Sequence, residues 1–486
     1  MRRDLVTSIT AEFGGRVFHA VIAGVLLVFL TRTLGAETYG IFALAVSICA
    51  FSRLFSELGI APSAARYVAG FKDTQPGAAS IVVRESLTFA VVAAVTVSLL
   101  LVVSADWIGA LLDEPALSGV ILVGAGYVAF YSLHRYNRTL LQGFEKVAGS
   151  AKLHVMEAIF TGLCVIVVVL YEPSAMAAMF GYTVGFGAVA LVGLYLVNVA
   201  HKPANTTSLS RSEIRLQILK YNVPLSVTRL SNEIDRQVDI LLVGYLLNPL
   251  AVAFYMIGKE ISRLIGVPAA SIGFALSPTY GAIKATGNVD RAASIYEESL
   301  NNVLIFYIPA CLGIALIAET MILNVFGDEY VGAITVVQIL SLFIFFEGLA
   351  YISSEALDYL GRARTRALIY SIAAVSNFCL NLVLIPMIGV EGAAIATVIT
   401  HGTYSLLTVY LVYTELSFSF STVRRNFVRV LTVSLLMGVA VYILLQLSTG
   451  FTALLLGIGV GGGIWIVGCH ALDLFDYKQL IAMVRG

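Results

Sequence analysis

The chain reads as an all-α polytopic membrane protein with about 14 transmembrane helices. Three observations predict this. Of 486 residues, 59% are hydrophobic and 12% are charged, where a soluble domain carries about 25% charge. Mean hydropathy is +0.90, and apolar runs of about 20 residues recur from end to end. Finally, Lys and Arg alternate between successive connecting segments.

A window of about 20 residues places spans near 8–31, 38–60, 86–104, 117–133, 153–171, 174–199 and 223–247. Seven more fall near 251–276, 300–318, 331–354, 367–387, 391–413, 427–447 and 450–472. The fourth is interrupted by tyrosines and His134, and the seventh by charges. MRRDLVTSITAEFGG reads as the start of the first helix, because no compact apolar core and small-residue cleavage site follows it. The longest connections are about 20–25 residues, so no soluble domain is expected.

Charge tests the layout. With the N-terminus inside, 23 of the 30 Lys and Arg fall on inside segments, six lie within spans and only Arg32 lies outside. Outside segments carry acids instead, among them Glu37, Asp106, Asp113, Glu114, Glu172, Glu319, Asp328, Glu329 and Glu391. Both termini are therefore expected in the cytoplasm, with the chain in the cell membrane. Asn137 (NRT) and Asn205 (NTT) match glycosylation acceptors but fall on the inside, and read as chance matches.

Several chemistries are excluded. Net charge is zero, which suggests no nucleic-acid partner. The five cysteines are scattered without CxxC or metal spacing. There is no P-loop, GxSxG or HExxH. The glycine run Gly457–Gly463 sits mid-span and suits close helix packing.

The informative stretch is YNVPLSVTRLSNEIDRQVDILLVGYLL, residues 221–247. Arg229, Asn232, Glu233 and Arg236 share one helical face there, with Asp235 and Asp239 beside it. A charge at a bilayer centre costs at least ~2.5–3.5 kcal/mol, so this density points to a helix lining a water-filled cavity. Six bases lie within spans: Arg16, Arg53, Arg229, Arg236, Lys259 and Arg263. Their acidic companions are Glu12, Glu57, Glu233, Asp235, Asp239 and Glu260. All six bases sit in spans 1, 2, 7 and 8, where they would present cations to an anionic substrate. Arginine suits phosphate because its planar fork bonds in bidentate fashion. Mutual neutralisation, six against six, is the plainer reading.

A second cluster comprises Asn377 and Asn381 in span 11 with Thr397 and Thr400 in span 12. Together with Asp235 or Asp239 these would offer oxygens to a small cation. Interhelical hydrogen bonding by the amides is the simpler expectation. Glu157, Glu347 and Glu355 read as lone acids, and His19 and His401 as packing histidines.

Sliding the chain by 213 residues lays Arg16 on Arg229 and Leu34 on Leu247. This fits two six-helix lobes in a pseudo-twofold arrangement, residues 1–200 and 223–415. A cytoplasmic linker, 201–222, joins them, and a terminal pair with its tail, 416–486, follows. Parallel repeats about a midplane site are a transporter architecture.

Two regions carry a family resemblance: TRTLGAETYGIFALA (Thr31–Ala45), and FGDEYVGAITVVQILSL (Phe326–Leu342) with LGRAR and NFCLNLVLIPMIGVEGAAIATVIT (Asn377–Thr400). They resemble the polysaccharide-biosynthesis (Wzx-type) branch of the MOP flippase superfamily. The markers are Gly327, Tyr330, Gly361, Asn377, Asn381, Pro386, Gly389 and the Gly392–Thr397 run. The resemblance implies a flippase that moves a polyprenyl- or dolichyl-diphosphate oligosaccharide outward by alternating access. It implies no cofactor, coupling to Na⁺ or H⁺ in some relatives, and work alongside other glycan-assembly membrane proteins. Where some relatives have an acid in span 11, this chain has the amide Asn381. The rival in the superfamily is a multidrug antiporter, which would want an acid-dominated cavity. The rival from another class is a membrane enzyme such as a polymerase or glycosyltransferase, disfavoured by exterior loops of about 5–15 residues.

Overall fold

The structure, a computed structural model, describes residues 2–57, 59–201, 210–266, 288–472 and 474. Side chains of 2–17, 219, 221 and 223–235 lie outside the description. Among the described residues the chain is helical, with no strand. It divides into two compact units, Met1–Ala253 and Phe254–Gly486.

The first unit contains α1 (Arg2–Leu34), α2 (Ala36–Glu57), α3 (Ile60–Phe71) and α4 (Pro76–Leu111). It continues with α5 (Pro115–Gly143), α6 (Val147–Tyr171), α7 (Ala175–Ala200) and α8 (Arg211–Leu246). Helix α9, residues 249–266, starts in the first unit and runs into the second. The second unit continues with α10 (Val289–Met321), α11 (Ala333–Tyr359), α12 (Ala363–Ile388) and α13 (Val390–Leu416). The chain ends on α14 (Phe420–Leu447) and α15 (Gly450–Ala471). Each of the 14 expected spans falls on one of these helices, the part of the eighth from 267 to 276 lying outside the described residues, and α3 is the addition. Among the described residues eleven helices are long and apolar enough to cross a membrane by length and composition.

The helices outrun their apolar windows. Helix α4 has 36 residues, about 54 Å at 1.5 Å per residue against a hydrocarbon core near 30 Å. A hydropathy window finds only the buried-in-lipid part. The expected loop 61–85 is therefore mostly α3 and the first turns of α4. Likewise α8 starts inside the expected linker, at a capping box. There the Ser210 hydroxyl accepts from the Glu213 backbone N–H, and Glu213 reaches back to the Ser210 N–H. Those bonds hold the Glu213 carboxyl below its usual range. The fourth span is also longer than expected. His134 does not end α5, which continues to Gly143; its Nε2 is taken up by Glu157 inside the unit.

Small residues set the packing. A Cβ on Gly185 would lie 2.5 Å from the Thr161 Cα, and one on Gly181 2.6 Å from the Val165 Cα. Two glycines four residues apart on α7 thus let its backbone touch that of α6. The expected repeat is visible in the helix boundaries. Adding 213 to 36 and 76, where α2 and α4 start, gives 249 and 289, where α9 and α10 start. Further on, the offset becomes 216–217: α6 ends at 171 and α7 at 200, against 388 and 416 for α12 and α13. The repeat therefore carries an insertion. The extra residues fall after α10, in a π turn (Ile322–Phe326) and a 3₁₀ turn (Asp328–Tyr330). Gly327 joins the two at φ 113°, ψ 171°, a conformation open essentially to glycine alone.

Candidate functional site

In the first unit, α2, α5 and α7 build an aromatic seat for Arg53. The Arg53 guanidinium lies 3.6 Å from the Tyr131 ring centroid and 5.3 Å from that of Tyr127. Its Nη1 donates to the Tyr127 hydroxyl at 2.8 Å. Tyr182 and Phe186 on α7 close the seat, with ring centroids 5.9 and 5.3 Å from Tyr127. A guanidinium over ring faces gains cation–π attraction that grows as water is removed. One turn further along α2, Ser56 and Ser132 hydroxyls meet at 2.6 Å, and Arg135 pairs with Glu57 at 3.2 Å. A cavity of about 20 Å³ beside these four residues has room for about one water.

A second network in this unit corrects the reading of Glu157 as a lone acid and of His19 as a packing residue. Glu157 is 8% exposed and meets groups from three helices. His134 Nε2 of α5 donates to its Oε2 at 2.9 Å, and His154 Nδ1 of α6 lies 3.2 Å from the same oxygen. His19 Nε2 of α1 is 3.6 Å from Oε1. Arg138 Nη1 lies 2.9 Å from His154 Nδ1 and 3.9 Å from the carboxylate. The His19 and His154 rings stack at 4.7 Å, 11° apart. A carboxylate, a guanidinium and three imidazoles thus gather where α1 packs on α6. The sequence does carry a signal for this: His134 and Arg138 are spaced i, i+4, and His154 and Glu157 i, i+3, within otherwise apolar spans. Asn137, between them, is fully buried and donates to the Ala190 carbonyl, so it is no glycosylation acceptor. Asn205 lies outside the described residues.

The remaining candidates divide between the units. Arg16 and Arg229 lie on α1 and α8, with side chains outside the described residues, as are those of Glu12, Glu233 and Asp235. Also on α8, Arg236 is exposed and Asp239 buried. In the second unit Arg263 pairs with Glu260 one turn back on α9. Lys259 stands 5.4 Å from the Tyr255 ring, and the Tyr255 hydroxyl meets Thr397 Oγ1 at 2.9 Å. The polar group on α12 and α13 is brought together as expected. Asn381 Nδ2 donates to Asn377 Oδ1 at 2.9 Å, and Asn377 Nδ2 to Thr400 Oγ1 at 3.2 Å. The hydroxyls of Thr397 and Thr400 donate to carbonyls of their own helix. Of these bonds, Asn377 to Thr400 joins α12 to α13. His401 sits edge-on to Phe343, and Glu347 accepts from the Tyr351 hydroxyl. All five cysteines are free thiols.

Comparison with known proteins places this arrangement. A protein of Haloferax volcanii named "Probable flippase AglR" is 24% identical over 82% of this chain and 81% of its own length. A Shigella flexneri protein named as an O-antigen transporter is 24% identical over 79% of this chain and 91% of its own. A solved structure of the lipid II flippase MurJ, in an inward closed conformation, covers 98% of this chain and 100% of its own. Its TM-score is 0.77 at 17% identity, a likeness of fold. The profile of the family described as Polysaccharide biosynthesis protein matches residues 29–335, more than half of the chain. With the glycine-marked turns and the repeated helix boundaries in agreement, the chain belongs to the polysaccharide biosynthesis protein family.

Proposed function

We propose that the protein is a flippase that carries a lipid-linked oligosaccharide, on a polyprenyl or dolichyl diphosphate, from the inner to the outer leaflet of the cell membrane. It works as a carrier and not as an enzyme, by alternating access of two six-helix lobes, residues 1–200 and 223–415, with both termini in the cytoplasm. One observation carries the reading. All six intramembrane bases, Arg16, Arg53, Arg229, Arg236, Lys259 and Arg263, lie on α1, α2, α8 and α9, the helices that open the two repeats. Bases held in a membrane domain need an anionic counterpart to offset their cost, and a diphosphate supplies two phosphate groups for bidentate arginine contacts. The relatives named flippase and O-antigen transporter support the same substrate class. Asp235, Asp239, Asn377, Asn381 and Thr397 are the groups available for Na⁺ coupling; H⁺ is the other coupling ion. Partners are the glycan lipid, the bilayer and other glycan-assembly membrane proteins.

The test is sidedness. The protein is depleted in its host, and lipid-linked glycans of intact cells are probed with a membrane-impermeant oxidant. The expected result is a glycan lipid that accumulates protected on the cytoplasmic side. Glycan lipids that reach the outside but stay untransferred would make the protein an enzyme of the later step. An unchanged glycan pool with raised sensitivity to cationic drugs would make it an antiporter. Arg16→Ala and Arg229→Ala are expected to abolish export with membrane insertion intact.

A further inference from the structure

We propose that His154, with His19, Glu157 and Arg138, forms a proton-binding site at the α1–α6 contact of this carrier. His154 Nδ1 lies 2.9 Å from Arg138 Nη1 and 3.2 Å from Glu157 Oε2. A guanidinium nitrogen only donates, and a carboxylate oxygen only accepts. A bare Nδ1 satisfies Arg138 and a protonated Nδ1 satisfies Glu157; one nitrogen does not do both. The geometry therefore holds two hydrogen-bonding states separated by a single proton. In the first, His154 is neutral and accepts from Arg138. In the second, a proton taken from water sits on Nδ1, the imidazolium donates to Glu157, and Arg138 is released. Arg138 has the room to leave, since its side chain is 29% exposed.

The neighbours fix the stoichiometry at one. His134 is 2% exposed, with Nε2 committed to Glu157 and Nδ1 buried without a partner, so a second proton there would lack an acceptor. His19 stacks on His154 at 4.7 Å, and two imidazolium rings at that spacing repel. The remaining titratable groups are accounted for helix by helix. On α5, Arg135 is paired with Glu57. Helix α7, which packs on α6, contains no acid, base or histidine. Helix α6 adds Lys152 near its start and Cys164 and Tyr171 further along, and α1 adds Arg32 near its end, with Arg2, Arg3, Asp4, Glu12 and Arg16 outside the described side chains. Charge also selects the ligand. Glu157 and Arg138 cancel, so a proton brings the group to +1, whereas a divalent metal on His19, His154 and Glu157 would bring it to +2 beside a guanidinium. In a low-dielectric interior the smaller excess is favoured.

The site deepens the carrier reading and rests on it for its role. His19 is one turn from Arg16 on the same helix, so proton uptake acts on the helix that carries a base proposed above for the diphosphate.

The test uses full-length protein labelled with ¹⁵N-histidine in lipid nanodiscs, with ring signals assigned from His19→Gln and His154→Gln. The expected result is one proton taken up between pH 4.5 and 8.5, lost in His154→Gln. Glu157→Gln should lower the midpoint by a pH unit or more, and Arg138→Gln should raise it, keeping the test open if one variant fails to fold. A His154 signal that does not titrate, or a midpoint unmoved by both variants, overturns the site. So does Zn²⁺ at micromolar concentration shifting His19 and His154 together in place of the proton. Flipping of a lipid-diphosphate glycan probe is measured alongside in proteoliposomes. Its pH profile should follow the His154 midpoint and flatten in His154→Gln. Titration without flipping at any pH leaves the site standing and removes the carrier reading; flipping without titration removes the site alone.

Discussion

The two units share a helical plan but fill their polar interiors differently. In the first, α4 pairs with α5, α5 with α7 and α6 with α7; in the second, α10 pairs with α11, α11 with α13 and α12 with α13. The first joins its helices through ionisable groups, Glu157 with three histidines and Arg138, and Glu57 with Arg135. Among the described residues, the α12–α13 contact of the second uses amides and hydroxyls inside the bundle, Asn377, Asn381 and Thr400, with ion pairs at the end of α12, Arg362 with Glu415 and Arg366 with Asp358, and Tyr296 meets Ser353 across α10 and α11. The difference bears on the proton site proposed above. A hydrogen bond between an amide and a hydroxyl has no proton to exchange near neutrality, whereas an imidazole between a guanidinium and a carboxylate does.

Substitutions sharpen that contrast. The largest expected effect is Glu157→Ala, which leaves Arg138 and His134 without their shared acceptor and should cost about 3–5 kcal/mol of stability, read by unfolding in bicelles. A loss under about 1 kcal/mol would mean that the network contributes little to cohesion. Next comes Gly185→Leu, which drives a side chain into the α6 backbone and should cost about 1–3 kcal/mol or block folding, read as a fall in thermal midpoint. In the second unit Asn381→Leu should cost less, on the order of 0.6–1.7 kcal/mol, since hydrogen bonds between membrane helices are individually weak. If it instead matched Glu157→Ala, the neutral network would be the stronger one and the contrast would invert. The smallest is Arg135→Gln at about 0–1 kcal/mol, because Arg135 is 45% exposed and its pair with Glu57 is screened by water.

Most helices were legible because each carries an apolar run long enough to cross the bilayer. Their true lengths were not, since a hydropathy window stops where Arg84 or Lys152 begins although the backbone stays helical. The position of Arg53 in a span was legible; its seat on Tyr127 and Tyr131 was not, because that contact joins residues 74 and 78 positions apart. Glu157 illustrates the same limit. Its own sequence neighbourhood shows one histidine a turn away, while His19 and His134 arrive only when α1 and α5 pack. The Asn377 and Asn381 pair was readable throughout, because both partners lie on one face of one helix.

The turn after α10 has a further meaning. The repeats differ in length by a few residues, which fall in the π and 3₁₀ turns around Gly327, and the helices on either side keep their pairing. A short epitope inserted at Val331, which is exposed, should be carried without disturbing either flank. It would make the turn a handle for reading which side of the membrane it faces.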